Sequence, residues 1–348
     1  MQTRQLGKLW PVSALALGGG GIGQLWGETT REECIATVHA AIDAGITLLD
    51  LAPSYGMGEA ETVIGAAFEG KLPDGIKVTT KCRLATTDPA EVEKTLTDSL
   101  AASLERMCLE RVDLFFLHSN IVSDNYDTSA YGERPTTRRW IFHDHVRPAF
   151  EKLVAQGRVG AWGITGIGIP PQILEALESE PMPAAVQCLA NPIDSAGELN
   201  FYGGPTRARE VISTANTHGI GVMGIRAVQG GAFTDALDRE LPEEHGVRTD
   251  FKKAKLFRAL AAQLGETAAA LAHRYALSMS GIDTVVLGVK NRTELENCLQ
   301  AEAAGLLSTE EMAQVQAAFE YYGGNGLWIC TTMSSSVPVR PAAYWPTD

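Results

Sequence analysis

Residues 46–55 read ITLLDLAPSY, and the fold turns on this stretch. Ile46–Leu49 is a short apolar run directly after Gly45, the composition of a strand buried on both faces. It ends in Asp50, and Pro53-Ser54-Tyr55-Gly56 follows as a turn cluster. A carboxylate at the end of a buried strand is costly unless it is paired. Taken alone, Asp50 reads first as the cap of a turn or helix, and only second as a functional group.

Two later stretches repeat the pattern. Residues 76–81, IKVTTK, are an apolar run ending in Lys81, and residues 112–118, VDLFFLH, are another ending in His118. The three ionisable side chains lie 31 and then 37 residues apart. A (β/α)8 barrel of about 250 residues repeats roughly every 31, and its active site gathers at the C-terminal ends of its strands. On successive strands of such a barrel, Asp50, Lys81 and His118 meet at that mouth.

The same rhythm continues in both directions. Residues 1–13 alternate weakly around Gly7 and Pro11 and predict a hairpin closing one barrel end. Residues 14–17 are the first buried strand. The following GGGGIG lacks the GxGxxG spacing of a dinucleotide turn running into a helix. It predicts a wide loop that lets backbone or ligand approach closely, with Trp26 lining a pocket or packed at its edge. Helices are expected over about 30–44, from near Glu59, and over 88–107, 146–156, 205–218, 250–262, 267–279, 291–303 and 308–320. Further strands are expected at 159–164, 184–189, 220–225 and 284–287. No Pro/Ser linker divides the series. The expected class is therefore α/β: a single (β/α)8 TIM barrel domain over 1–348, with an N-terminal hairpin, long loops at the C-terminal face and a tail at 321–348. Residues 119–143, with Trp140, form a polar and aromatic insertion of the kind that carries function. Trp328 in the tail folds back over the mouth or packs against the barrel side.

Composition narrows the function. The chain has 348 residues, 45% hydrophobic and 20% charged, with a formal charge of −13. That balance disfavours nucleic acid and anionic membranes as partners, and an anionic cofactor would need a local basic pocket. The six cysteines form no CxxC pair and read as reduced thiols of a cytoplasmic protein. His143-Asp144-His145 has no evident third ligand, so no metal is expected. The N-terminus has no apolar signal-like region, and no run reaches 18 apolar residues.

With these residues in place, the chain resembles the aldo-keto reductase family over roughly residues 1–320. The stretches that carry the resemblance are AGITLLDLAPSYGMGEAETVIG, KVTTK, LERMCLERVDLFFLH and GVKNRTELENC. The resemblance implies a nicotinamide cofactor bound across the C-terminal face, carbonyl–alcohol interconversion, and a catalytic tetrad of Asp50, Tyr55, Lys81 and His118. The chemistry is coherent. Hydride added to a carbonyl leaves charge on oxygen, which a positioned acid must neutralise. A lysine ammonium favours the phenolate a tyrosine acid leaves behind, the aspartate holds the ammonium, and the histidine orients the oxygen.

The resemblance also implies cofactor contacts, with departures. Thr165 and Gly166 stand where the family usually has Ser-Asn, so one side-chain contact to the carboxamide is lost. Gln187 matches a carboxamide-binding glutamine, and Arg226 stands near a usual stacking tyrosine. Gly288, Lys290, Arg292, Glu294 and Asn297 fall on the late cofactor loop. Two cations there favour NADP, with NAD as the alternative. Trp26, Trp140 and Trp328 are the candidate substrate contacts, and the expected partner is a small carbonyl compound or sugar. A non-catalytic nicotinamide-binding redox sensor or partner subunit on the same barrel is the competing expectation. Oligomeric state has no signal in the sequence.

Overall fold

Eight parallel strands close into a barrel. They are β1 (Leu15–Gly18), β2 (Leu48–Asp50), β3 (Lys77–Cys82), β4 (Val112–Leu117), β5 (Val159–Thr165), β6 (Ala185–Leu189), β7 (Gly221–Ile225) and β8 (Thr284–Leu287). Each strand neighbours the next in sequence, and β8 pairs with β1. The structure is a computed structural model and describes residues 1–84, 87–127 and 136–320. Trp328 and the rest of the expected tail lie outside the described residues, as does the middle of the 119–143 insertion.

The strand period of two sorts side chains into two layers. Leu15, Leu17, Leu49, Val78, Phe115, Leu117, Val186 and Val285 join the apolar layer shared with the helices. Ala16, Leu48, Leu114, Phe116, Ala185 and Met223 form a second cluster, which Leu6 and Val12 of the N-terminal hairpin complete. That hairpin pairs Thr3–Gln5 with Pro11–Ser13. It is tied to the barrel's N-terminal end by Gly7 N–H on Asp283 Oδ2 at 3.1 Å and Lys8 N–H on the Gly219 carbonyl at 3.0 Å. The plug closes one end and leaves the other for the site.

Most expected helices form near their expected bounds. Arg31–Asp43 starts at Thr30, whose hydroxyl accepts the Glu33 N–H, and ends before Gly45. Several details differ. The glycine run is not an open loop: Gly19–Ile22 makes one helical turn. The 88–107 segment opens as a 3-10 turn at Pro89–Glu91 before the helix Val92–Met107. The helix expected at 146–156 is the last part of a longer run that starts at Arg139 and passes through a π-helical turn at Phe142–Val146. The segment 250–262 is two helices, Gly246–Lys253 and Lys255–Gln263. A helix for which the sequence gives no bounds, Pro170–Glu178, links β5 to β6; its two prolines occupy first-turn positions that need no N–H. Among the described residues, no helix is long and apolar enough to cross a membrane, no group could hold a metal ion, and the five cysteines are free.

The glycine turn is built for close approach. A Cβ on Gly21 would lie 1.9 Å from the Val289 carbonyl oxygen, beyond the end of β8. Gly21→Ala is therefore expected to cost about 1–3 kcal/mol, the usual scale of overpacking. Urea unfolding of the variant checks this; an unchanged midpoint would mean that the 288–289 segment yields without cost.

Candidate active site

The parity that puts Leu48, Leu114, Phe116 and Ala185 inside the barrel continues upward. Two residues on from Leu48 is Asp50, two on from Phe116 is His118, and two on from Ala185 is Gln187. Asp50 pairs in register with Thr79 on β3, and Lys81 follows two residues later on the same face. The inner face therefore changes from apolar to polar in one layer at the C-terminal ends of β2, β3, β4 and β6.

In that layer the Lys81 ammonium is fully buried and donates to Asp50 Oδ2 at 2.9 Å and to the Leu51 carbonyl at 2.7 Å. It also lies 4.7 Å from the centre of the Tyr55 ring. Asp50 is 2% exposed. Its Oδ1 accepts from Thr79 Oγ1 and from Gln187 Nε2, both at 2.7 Å. Three donors thus satisfy one buried carboxylate, the condition under which such burial is tolerated. Burial alone would push the lysine pKa down. The Asp50 carboxylate, and then Tyr55, outweigh it, so the net shift is upward and Lys81 stays charged.

His118 follows β4, with its N–H on the Cys82 carbonyl at 2.8 Å. Its ring meets Tyr55 edge-on, centroids 6.0 Å apart. Burial first, then the Lys81 and Arg83 cations, hold its pKa well below the usual histidine value. The imidazole is neutral at neutral pH and can donate a hydrogen bond without carrying charge. Asp50, Tyr55, Lys81 and His118, separate in the sequence, form one contiguous cluster.

Above them opens a cavity of about 960 Å³, at the upper end of the range for small-molecule sites. Asp50, Tyr55 and His118 form part of its lining, and Thr165 and Gln187 adjoin them. At the other end lie Gly288, Lys290, Glu294 and Asn297. Between them runs a wall of bare glycine backbone at residues 18–20, over which Trp26 sits close enough that a Cβ on Gly20 would lie 2.5 Å from its Nε1. Polar groups at both ends, a side-chain-free wall and this volume fit an extended dinucleotide.

The remaining expected contacts divide. Trp26 lines the cavity. Trp140 does not: it is 38% exposed, and its ring packs edge-on to His145, because the run from Arg139 turns that part of the insertion outward. Arg226 lines the cavity, but its guanidinium is held by Glu198 at 3.0 Å to both oxygens and by Gln229 Oε1 at 2.5 Å. Lys290 is held by Glu294 and by Asp238, the latter at 3.4 Å. Arg292 lies off the cavity, 61% exposed and paired with Glu33 at 2.9 Å. As the first residue of the helix Arg292–Ala303, after the Asn291 cap, it leaves along the outside. Several wall residues carried no signal in the sequence reading, among them Ser54, Arg83, Asn120, Glu198 and Asp238. All lie beyond the ends of the barrel strands, on loops, a short strand at Asn120 and a 3-10 turn at Glu198, where no long periodicity marks direction.

The Asp50–Lys81 pair predicts a non-additive cycle. Asp50→Asn leaves a buried ammonium without its counter-ion and should cost about 3–5 kcal/mol. Lys81→Met should cost less, and the double variant should be more stable than Asp50→Asn alone because no orphan charge remains. Denaturant unfolding of the four proteins measures this; strictly additive losses would mean the two groups are not coupled.

The comparisons agree with this geometry. The aldo/keto reductase family model matches residues 14–320. The chain is 25% identical over 317 residues to an L-galactose dehydrogenase of Arabidopsis thaliana, covering 89% of this chain and 91% of that protein. It is 30% identical over 177 residues to a D-threo-aldose 1-dehydrogenase of a Pseudomonas sp, covering 44% of this chain and 50% of that one. Among solved structures it is similar to a glycerol dehydrogenase from Gluconobacter oxydans, with TM-score 0.70, 22% identity, and 95% and 99% of the two chains covered. It is also similar to the holo form of an aldo-keto reductase from Bacillus halodurans, with TM-score 0.69, 22% identity, and 92% and 96% covered. At that identity the structural likeness speaks for the fold, and the family match over most of the chain speaks for the class. With a closed barrel, an Asp–Lys–Tyr–His cluster built on a buried ion pair at its mouth and this match, the chain is an oxidoreductase that belongs to the aldo/keto reductase family.

Proposed function

We propose that the protein interconverts an alcohol and an aldehyde, ketone or aldose with a nicotinamide dinucleotide, and that Tyr55 moves the proton. The single observation behind this is the buried cluster: a satisfied Asp50–Lys81 pair beside the Tyr55 ring, with a neutral His118 edge-on to it. When bound, the cofactor supplies or accepts the hydride. The protein's residues do the rest. In the reducing direction, the Tyr55 hydroxyl gives its proton to the substrate oxygen, and the Lys81 cation stabilises the phenolate that remains. Asp50 keeps that cation charged and in place. His118, uncharged, presents an N–H to the same oxygen and fixes which face of the carbonyl is open. Gln187 and Thr165 would hold the nicotinamide end and Gly288, Glu294 and Asn297 the adenosine end, with the glycine wall between.

For the choice of dinucleotide, the side-chain pairing favours NAD over the NADP suggested by two adjacent cations. Of those cations, Arg292 faces away from the cavity, and Lys290 stands between two carboxylates. Asp238 is shared with Arg239, so Lys290 and Arg239 are already balanced by Glu294 and Asp238, and a 2′-phosphate dianion gains little there.

Two outcomes follow. Tyr55→Phe should lower kcat by at least about 10²-fold, the ordinary scale of acid–base catalysis, with cofactor affinity nearly unchanged by fluorescence titration; near-normal turnover would remove Tyr55 from its role. The unaltered protein should use NADH with a higher kcat/KM than NADPH, and Glu294→Gln should narrow the gap by freeing Lys290. A preference for NADPH in the unaltered protein would overturn the charge reasoning.

A further inference from the structure

Charged groups on the cavity wall can be traced to their partners one by one. Lys290 faces Glu294 and Asp238, Arg226 lies on Glu198, Arg239 bonds Asp238, and Asp50 holds Lys81. Arg83 is the exception. It follows Lys81 by two residues, just past the end of β3, and its side chain lines the same cavity. It is exposed, and among the described residues it has neither a hydrogen bond nor an ion pair. In a chain of net charge −13, a lone guanidinium at the wall of the reaction cavity calls for an anion.

The position says which anion. Arg83 acts electrostatically on His118, so it belongs to the catalytic end of the cavity and not to the adenosine end. Two cations, Lys81 and Arg83, crowd His118, and only Lys81 has a counter-ion. A single negative charge arriving with the substrate would balance Arg83, whereas a dianionic phosphate would call for a second free cation that the described wall does not offer. The planar fork of a guanidinium matches a carboxylate through two parallel hydrogen bonds.

We propose that Arg83 is a specificity-determining residue that receives a carboxylate of the substrate, so that the preferred substrates are carbonyl compounds, or the corresponding alcohols, that are themselves acids. This rests on the carbonyl–alcohol reading above and names the substrate class for it. The carboxylate is a spectator: it forms and breaks no bond, and the hydride and proton move as already described. Its role is to tether one end of a small molecule while Tyr55 and His118 engage the oxygen at the other, which supplies orientation to a substrate too small to be held by apolar contact.

The test uses acid and neutral partners of similar size with the purified protein and NADH: 4-oxobutanoate against butanal, and D-glucuronate against D-glucose. The expected result is a kcat/KM at least about ten-fold higher for the acid in one or both pairs. Arg83→Gln should then lose about ten- to a hundred-fold on the acid, mainly through KM, the scale of a charge-assisted contact. Its loss on the neutral partner should be at least about five-fold smaller, and an unchanged urea midpoint shows that the variant is folded. Arg83→Lys should retain part of the preference, since it keeps the charge and loses the fork. Equal use of acid and neutral partners, or an equal loss on both in Arg83→Gln, would overturn the carboxylate role and leave the oxidoreductase reading standing. Turnover of none of the four by a protein that binds NADH would count against both.

Discussion

The site depends on one buried charge being kept. Lys81 is fully enclosed, and an ammonium there survives only because Asp50 and the Leu51 carbonyl meet it. Asp50 survives in turn because Thr79 and Gln187 take its other oxygen. Four side chains and one carbonyl from three strands are thus locked into a single arrangement. A strand slip of one residue would send the functional side chains to the helix-facing side and leave an apolar layer at the mouth. The barrel's parallel register, set by its apolar layers, is therefore also what holds the chemistry in place.

That constraint organises the electrostatics above it. Asp50 keeps Lys81 charged, as the proposed role of Tyr55 requires, and that charge helps to suppress protonation of His118. The cluster thereby separates the roles: one cation that does not exchange its proton, one neutral donor, and one phenol between them. Further out, the wall charges of Arg226 and Lys290 are balanced by carboxylates of neighbouring loops. Pairs of this kind hold loops together as much as they await a ligand, since Glu198 and Asp238 lie on segments with no strand to anchor them.

The legible part of the molecule was the part with a period. Asp50, Lys81 and His118 could be placed together because apolar runs of strand length end in them at intervals close to one β/α unit. Thr284–Leu287 was expected at its observed bounds for the same reason. What failed lay beyond strand ends. Lys290 and Arg292 look like one basic pair in sequence. A helix begins between them, however, and the Asn291 cap sends one side chain to the cavity and the other to Glu33. Trp140 looked like a substrate contact because it is a large aromatic in an insertion, yet the helical run from Arg139 faces it outward. Arg83 drew no attention because nothing in a sequence says that a cation lacks a partner; that becomes visible only once the hydrogen bonds and ion pairs of the described residues are traced.

The glycine run shows how a local motif can be misjudged on chemistry alone. It reads as a wide loop that backbone or ligand could approach, and the closest approaches in the structure are by protein. A Cβ on Gly19 would lie 2.9 Å from the Tyr55 ring, and one on Gly23 would lie 2.9 Å from the Tyr55 carbonyl oxygen. Tyr55 is the member of the cluster that lies furthest from a strand in sequence. It sits in a turn followed by Gly56, Met57 and Gly58, all with positive φ, a conformation that costs a non-glycine residue such as Met57 energy. Such a turn does not hold its shape by intrinsic preference. It is held because the helical turn Gly19–Ile22 lies flat against it, which only residues without side chains permit. The glycines therefore bear on the proposed reaction indirectly: they are the bed on which Tyr55, the proposed proton donor, rests, and through them the end of β1 fixes the position of a side chain that β2 only approaches.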